Sequence, residues 1–113
     1  MKSRAYGCGL AAALDVVGGT WKPIVLWQLA PGPRRFGELR RLVAGISEKM
    51  LIQQLWEMEA DGIVSRRDFG EIPPRVEYAL TPFGDTLVEA LRPLCDWGKQ
   101  HMTRIEKTKA EAG

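Results

Sequence analysis

The chain has 113 residues, 45% apolar and 27% charged, and its 16 Lys plus Arg against 14 Asp plus Glu leave a formal net charge of +2. One domain is expected at this length, able to bury a core without a disulfide or metal staple, and the composition excludes a disordered or fibrous chain. The N-terminal apolar run is interrupted by Asp15, and no stretch approaches the ~20 apolar residues of a membrane span. A cytoplasmic chain with no membrane partner and two reduced cysteines, Cys8 and Cys95, is expected.

Residues 8 to 17 read as a first helix, stopped by Gly18-Gly19. Residues 21 to 30 read as a second, with Trp21, Ile24, Val25 and Leu29 at helical spacing facing the core. Pro31-Gly32-Pro33 ends it. A short third helix follows, with Phe36, Leu39 and either Leu42 or Val43 on one side and Arg40 and Arg41 on the other. The fourth spans 47 to 61: Ser47 is its N-cap, Glu48 lies in its first turn and Gly62 supplies the left-handed residue at its end. Leu51, Leu55 and Met58 form its buried stripe. A rotation of ~100° per residue puts Lys49, Gln53, Trp56 and Ala60 on the opposite face, with Ile52 at the margin.

The period then changes. Residues 63 to 69 and 75 to 80 read as two strands, the second alternating Val76, Tyr78 and Leu80 with Arg75, Glu77 and Ala79. Pro73-Pro74 marks the hairpin tip. Thr81-Pro82 opens a long helix to about residue 106, with an apolar stripe through Phe83, Leu87, Leu91, Leu94, Gly98, Met102 and Ile105, and with Pro93 expected to kink it.

This order predicts a mainly α fold with a small two-stranded β-hairpin: a winged helix-turn-helix over the whole chain, 1–113. Residues 36–80 supply the helix-turn-helix and wing. The fourth helix is the candidate recognition helix and the hairpin, 63–80, the wing, with Arg75 at its tip and Arg66 and Arg67 on the strand before it. Arginine suits the electronegative minor groove. Taken singly, each basic stretch reads better as a solvated face. The joint order, with basic residues before the turn, a capped helix and then a basic hairpin, points to nucleic acid.

The segments GGTWKPIVLWQL, GPRRFGELRRLVAGISEKMLIQQLWEMEADGIV and PPRVEYALTPFG resemble the HxlR family of bacterial winged-helix transcriptional regulators over about residues 8 to 98. The resemblance implies a homodimer held by the first and last helices (8–17 and 81–106), bound to palindromic operator DNA, with no catalytic activity. It carries DNA contacts onto Ser47, Lys49 and Gln53 at the start of the recognition helix, onto Arg40 or Arg41 beside the groove, and onto Arg75 in the wing. Gln53 can reach adenine N6 and N7, and in a chain without asparagine only Gln53 and Gln54 offer amides in that helix. Tyr78 matches the family but reads as core. Ile52 stands where the family often has threonine, Trp56 where it often has arginine, and Thr20 where a basic residue is common.

Cys8 matches the family's N-terminal cysteine, whose thiol in several members responds to oxidants or electrophiles. A helix N-terminus favours the thiolate, and Arg4 is close in sequence. A small buried hydrophobe is the competing reading, and the favoured one for Cys95. The single His101 and two distant cysteines make no zinc site; no catalytic or phosphate-loop motif occurs, and no cofactor is expected. Trp21, Trp27 and Trp97 read either as dimer core or as the lining of a ligand cavity between the first and last helices.

The expectation is therefore a dimeric regulator of double-stranded DNA, responsive to Cys8 chemistry, an oxidant or a small ligand at the dimer interface. A winged-helix protein-interaction module, with Ile52 and Trp56 as its hot spot, is the alternative. A thiol redox enzyme is disfavoured for want of a Cys-x-x-Cys pair. Seven of the ten arginines lie between residues 34 and 75, joined there by Lys49 and seven carboxylates. The fold is expected to place these arginines on the groove side and most carboxylates away from it.

Overall fold

The computed structural model describes residues 5–113. The elements run α1 (Gly9–Val17), α2 (Trp21–Leu29), β1 (Arg34–Arg35), α3 (Phe36–Leu42), α4 (Glu48–Ala60), β2 (Val64–Asp68), β3 (Val76–Leu80) and α5 (Pro82–Ala112). The expected two-stranded hairpin, β2 against β3, is present, and the short β1, which was not expected, adds a third antiparallel strand in the order β1-β3-β2. Arg34 pairs with Tyr78 and Arg35 with Glu77. A two-residue strand has no alternation to read, and Arg34-Arg35 looks in sequence like the lead-in to a helix. The last helix also runs past residue 106 to Ala112, and continues through Pro93.

Local chemistry sets the boundaries. The Ser47 Oγ accepts the Met50 N–H at 3.1 Å and so caps α4. At its other end Gly62 takes φ +78°, the Gly62 N–H donates to the Glu59 carbonyl and the Ile63 N–H to the Met58 carbonyl. This pair of bonds is a Schellman motif, and it turns the chain so that Ile63 is buried in the core, as is Met58. Before α3, the Glu38 carboxylate reaches back to the Arg35 N–H at 3.0 Å.

The core gathers Val25, Leu26 and Leu29 of α2, Leu39 of α3, Val43 and Ile46 of the turn, Leu51, Leu55 and Met58 of α4, and Ile63 and Val64 leading into β2. The stripe expected on α4 is thus the one buried. On α2 the buried face is rotated: Leu26 takes the place expected for Ile24, which is exposed, while Trp21 is half-buried. Of the two candidates closing α3, Val43 is buried and Leu42 exposed. The rotation on α2 has a physical cause: the helix touches α3, α4, α5 and β3, so its buried arc is wider than any single stripe.

The start of α5 is fastened to the end of α4. The Thr81 hydroxyl donates to the Gly62 carbonyl at 2.7 Å and accepts the Gly84 N–H at 3.0 Å, while the Thr81 N–H donates to the Ile63 carbonyl at 3.1 Å. Gly84 packs so tightly on the Ile63 carbonyl that a Cβ there would overlap it and press on Leu80. Gly84→Ala is therefore expected to lower stability by about 2 kcal/mol, because backbone has to move. Urea unfolding of the two proteins side by side measures the difference.

Candidate nucleic-acid interface

α3, the turn at 43–47 and α4 form a helix-turn-helix, with Val43 and Ile46 buried in the turn. The N-cap leaves α4 presenting Ser47, Lys49, Ile52, Gln53 and Trp56 outward, all exposed. Lys49 has no ion-pair partner among the described residues.

α4 is steadied from behind. The Lys22 Nζ of α2 donates to Glu57 Oε1 at 2.9 Å, in a pair whose lysine is largely buried. This bond, aided by Gln53, holds the Glu57 carboxyl below the usual carboxylate range, against the upward push of partial burial. Neither residue stands out in sequence, since they are 35 positions apart and each resembles an ordinary surface charge. At the N-terminal end, Arg40 of α3 lies 3.5 Å from Glu48 across the turn, both well exposed.

The charges are handled differently from the expected segregation. Rather than being moved away, four of the seven carboxylates between residues 34 and 75 are paired: Glu38 with Arg34, Glu48 with Arg40, Glu57 with Lys22 and Glu71 with Arg75. Asp68 accepts the Gly70 N–H at the hairpin tip. Among the described residues, Arg35, Arg41, Lys49, Arg66 and Arg67 carry no ion pair. Arg35 and Arg41 border a groove of about 450 Å³ between α3 and the wing, closed on the other side by Pro74 and Val76.

Within the wing, Arg66 lies opposite Tyr78 and Arg67 opposite Glu77, so their side chains leave opposite faces of the sheet. Arg75 was expected at the tip, as a wing contact to DNA. It is instead half-buried just below it, with Glu71 at 3.6 Å, Glu77 at 3.4 Å and its guanidinium 3.8 Å over the Phe69 ring. Arg67 stacks on the same ring at 4.4 Å. The tip itself presents Ile72, fully exposed. Phe69 was not singled out in sequence, because a lone aromatic at a strand end gives no periodic signal.

Cys8 is exposed and sits at the N-cap position of α1, with no capping bond from its side chain. Arg4, its expected neighbour, lies outside the described residues. Cys95 is half-buried and lines an apolar cavity of about 330 Å³ with Ile24 and Trp27 of α2 and Leu91 and Leu94 of α5. This cavity lies between α2 and α5 rather than between the first and last helices, and of Trp21, Trp27 and Trp97 only Trp27 lines it. Trp97 packs instead on His101, ring centroids 4.9 Å apart. No cluster of His, Cys, Asp or Glu that could hold a metal occurs among the described residues. Among them, too, no single helix is long and apolar enough to cross a membrane.

The model of the HxlR-like helix-turn-helix matches residues 16–106. The chain belongs to that family. The HTH-type transcriptional regulator YtcD of Bacillus subtilis is 43% identical over 105 residues, 93% of this chain and 83% of YtcD. Among solved structures, the redox regulator HypR in its reduced form is 41% identical with a TM-score of 0.83, over 88% of this chain and 99% of HypR. The reduced transcriptional regulator YodB of B. subtilis is 32% identical with a TM-score of 0.73, over 84% and 94%. This HxlR-like protein is accordingly a DNA-binding transcriptional regulator of the helix-turn-helix type, and its family consists of regulators rather than enzymes.

The Lys22–Glu57 contact gives the interface a pH dependence of known sign. Because the Glu57 carboxyl is held low in the folded chain, its contribution is complete above the unfolded value of about 4.3 and fades as pH falls through the folded one. Partial exposure limits it to about 1 kcal/mol. Urea midpoints of the natural protein and Glu57→Gln should differ most near neutral pH and draw together as pH falls through the lowered range of the folded carboxyl.

Proposed function

We propose that the chain acts as one domain, as a cytoplasmic homodimer that binds palindromic operator DNA, with α4 in the major groove and the wing alongside. The observation that carries this reading is the outward face of α4. Lys49 is unpaired there and Gln53 is exposed, while the adjoining carboxylates Glu48 and Glu57 are already bound to Arg40 and Lys22. Such a face offers an amide reader and a cation to DNA with little negative charge in the way.

Ser47 and Lys49 then meet phosphate or base edges, and Gln53 an adenine. Arg41 meets the backbone beside the α3–wing groove. Arg40 joins it by exchanging Glu48 for phosphate, an exchange that costs little because their pair is exposed. Arg66 is the wing's readiest cation. Arg75 contributes by fixing the shape of the wing, and reaches DNA only by leaving Phe69 and two carboxylates.

Dimerisation is supported by what a single chain leaves uncovered. Leu10 and Leu14 of α1, and Leu94, Trp97 and Met102 of α5, are all exposed. Two α5 helices crossing with α1 would bury them and set two recognition helices about one turn of DNA apart. A protein-interaction module is the second reading, favoured only by the exposed Ile52 and Trp56.

Fluorescence anisotropy with duplexes from the gene's own upstream region tests the reading. Binding should weaken steeply with salt, and Lys49→Ala should weaken it about tenfold while lowering the log–log salt slope by about 1. No binding of any such duplex at low salt would favour the interaction module.

Control through Cys8 is supported by its exposure and by similarity to HypR, named a redox regulator. A disulfide-forming oxidant should release DNA from the natural protein and leave Cys8→Ser bound. Equal release from both removes Cys8 from the mechanism.

A further inference from the structure

Two large apolar side chains stand on the reading face of α4. Trp56 is 73% exposed and Ile52 54% exposed. They are four residues apart, hence one helical turn apart on the same side, and rotation about the axis sets Trp56 between Ile52 and Lys49. The wing does not cover them: among the described residues Trp56 makes no ring or cation contact, and the wing's cations stack on Phe69 instead. Exposed apolar area of this size on a helix otherwise polar outside needs a partner.

The charges around the pair select the kind of partner. Lys49 beside Trp56 is unpaired, Glu57 and Glu48 are tied to Lys22 and Arg40, and Arg41, Arg66 and Arg67 stand free of carboxylates on the neighbouring elements. Glu59, on the flank beyond Ile52, is the face's one carboxylate without a cation among the described residues. The surface is therefore apolar within a cationic frame, which complements a polyanion better than an apolar protein groove. In the major groove of DNA the apolar feature on the base edges is the C5-methyl group of thymine, which side chains read by direct apposition.

We propose that Ile52 and Trp56 are specificity-determining residues that read thymine methyl groups in the major groove. The operator then carries thymines opposite the middle of α4, next to the base pair met by Gln53. This rests on the DNA-binding reading above, and it supplies what that reading lacks: the arginines bind phosphate whatever the sequence, and Lys49 and one glutamine alone specify little.

The test removes the methyl groups from the DNA and the side chains from the protein in turn. An upstream duplex bound by the natural protein is prepared twice, once with thymine and once with deoxyuracil throughout. Deleting one buried methyl group costs about fourfold in affinity, so the natural protein should bind the deoxyuracil duplex about four- to fifteenfold more weakly. Ile52→Ala/Trp56→Ala should bind the thymine duplex more weakly by a similar factor and no longer tell the two apart. Its log–log salt slope should match the natural protein's, since every phosphate partner remains in place. Lys49→Ala should lose affinity for both duplexes and keep the preference. Both α4 positions are exposed, so circular dichroism and the urea midpoint should show the double variant folded. Equal binding of the two duplexes by the natural protein overturns the proposal, as does a double variant that keeps the full preference. A double variant that binds DNA normally but no longer binds a protein partner overturns it in favour of protein docking. Failure of the natural protein to bind any duplex at low salt is the separate failure of the DNA-binding reading.

Discussion

The structure turns on the two residues that follow the recognition helix. Gly62 can take the left-handed conformation that ends α4 in one step, and the Ile63 N–H closes back on Met58. The carbonyls of the same two residues then receive the hydroxyl and the N–H of Thr81. The recognition helix, the first strand of the wing and the long helix are thus fastened within a few ångströms of one another. Ile63 and Val64, both buried, anchor that knot in the core. Each element that would touch DNA inherits its direction from this junction.

Much of this was legible in sequence where the signal is local. Ser47, Gly62 and Thr81-Pro82 name their own positions, since capping depends on a few adjacent atoms. The α4 stripe was legible too, because the helix packs on one side only. What escaped was non-local or too short to have a period. The two-residue strand β1 exists only because β3 lies beside it. The Lys22–Glu57 bond joins residues far apart in the chain, and the rotated face of α2 depends on where α5 lies.

The candidate site divides along the same line. That Lys49, Gln53, Ile52 and Trp56 share a face follows from helical arithmetic. The state of each cation does not, because it depends on which carboxylates the fold brings near. Arg75 is the clearest instance: its place in the wing is legible, but its enclosure by Phe69, Glu71 and Glu77 arises only when the strand ends meet. Between residues 34 and 75 four of the seven carboxylates are neutralised in place by nearby cations, so an unremarkable net charge hides five cations there, Arg35, Arg41, Lys49, Arg66 and Arg67, that carry no ion pair among the described residues.

The length of α5 has a mechanical meaning. Its 31 residues make a rod of about 46 Å whose N-terminal end is clamped to the recognition helix. A rod held at one end acts as a lever. A tilt of about 5° around the clamp moves the far end by about 4 Å. Run in reverse, a shift of a few ångströms at the far end of the rod becomes a change of angle at the end carrying α4. Chemistry remote from α4, in the cavity beside Cys95, thereby gains a geometric route to the direction of that helix.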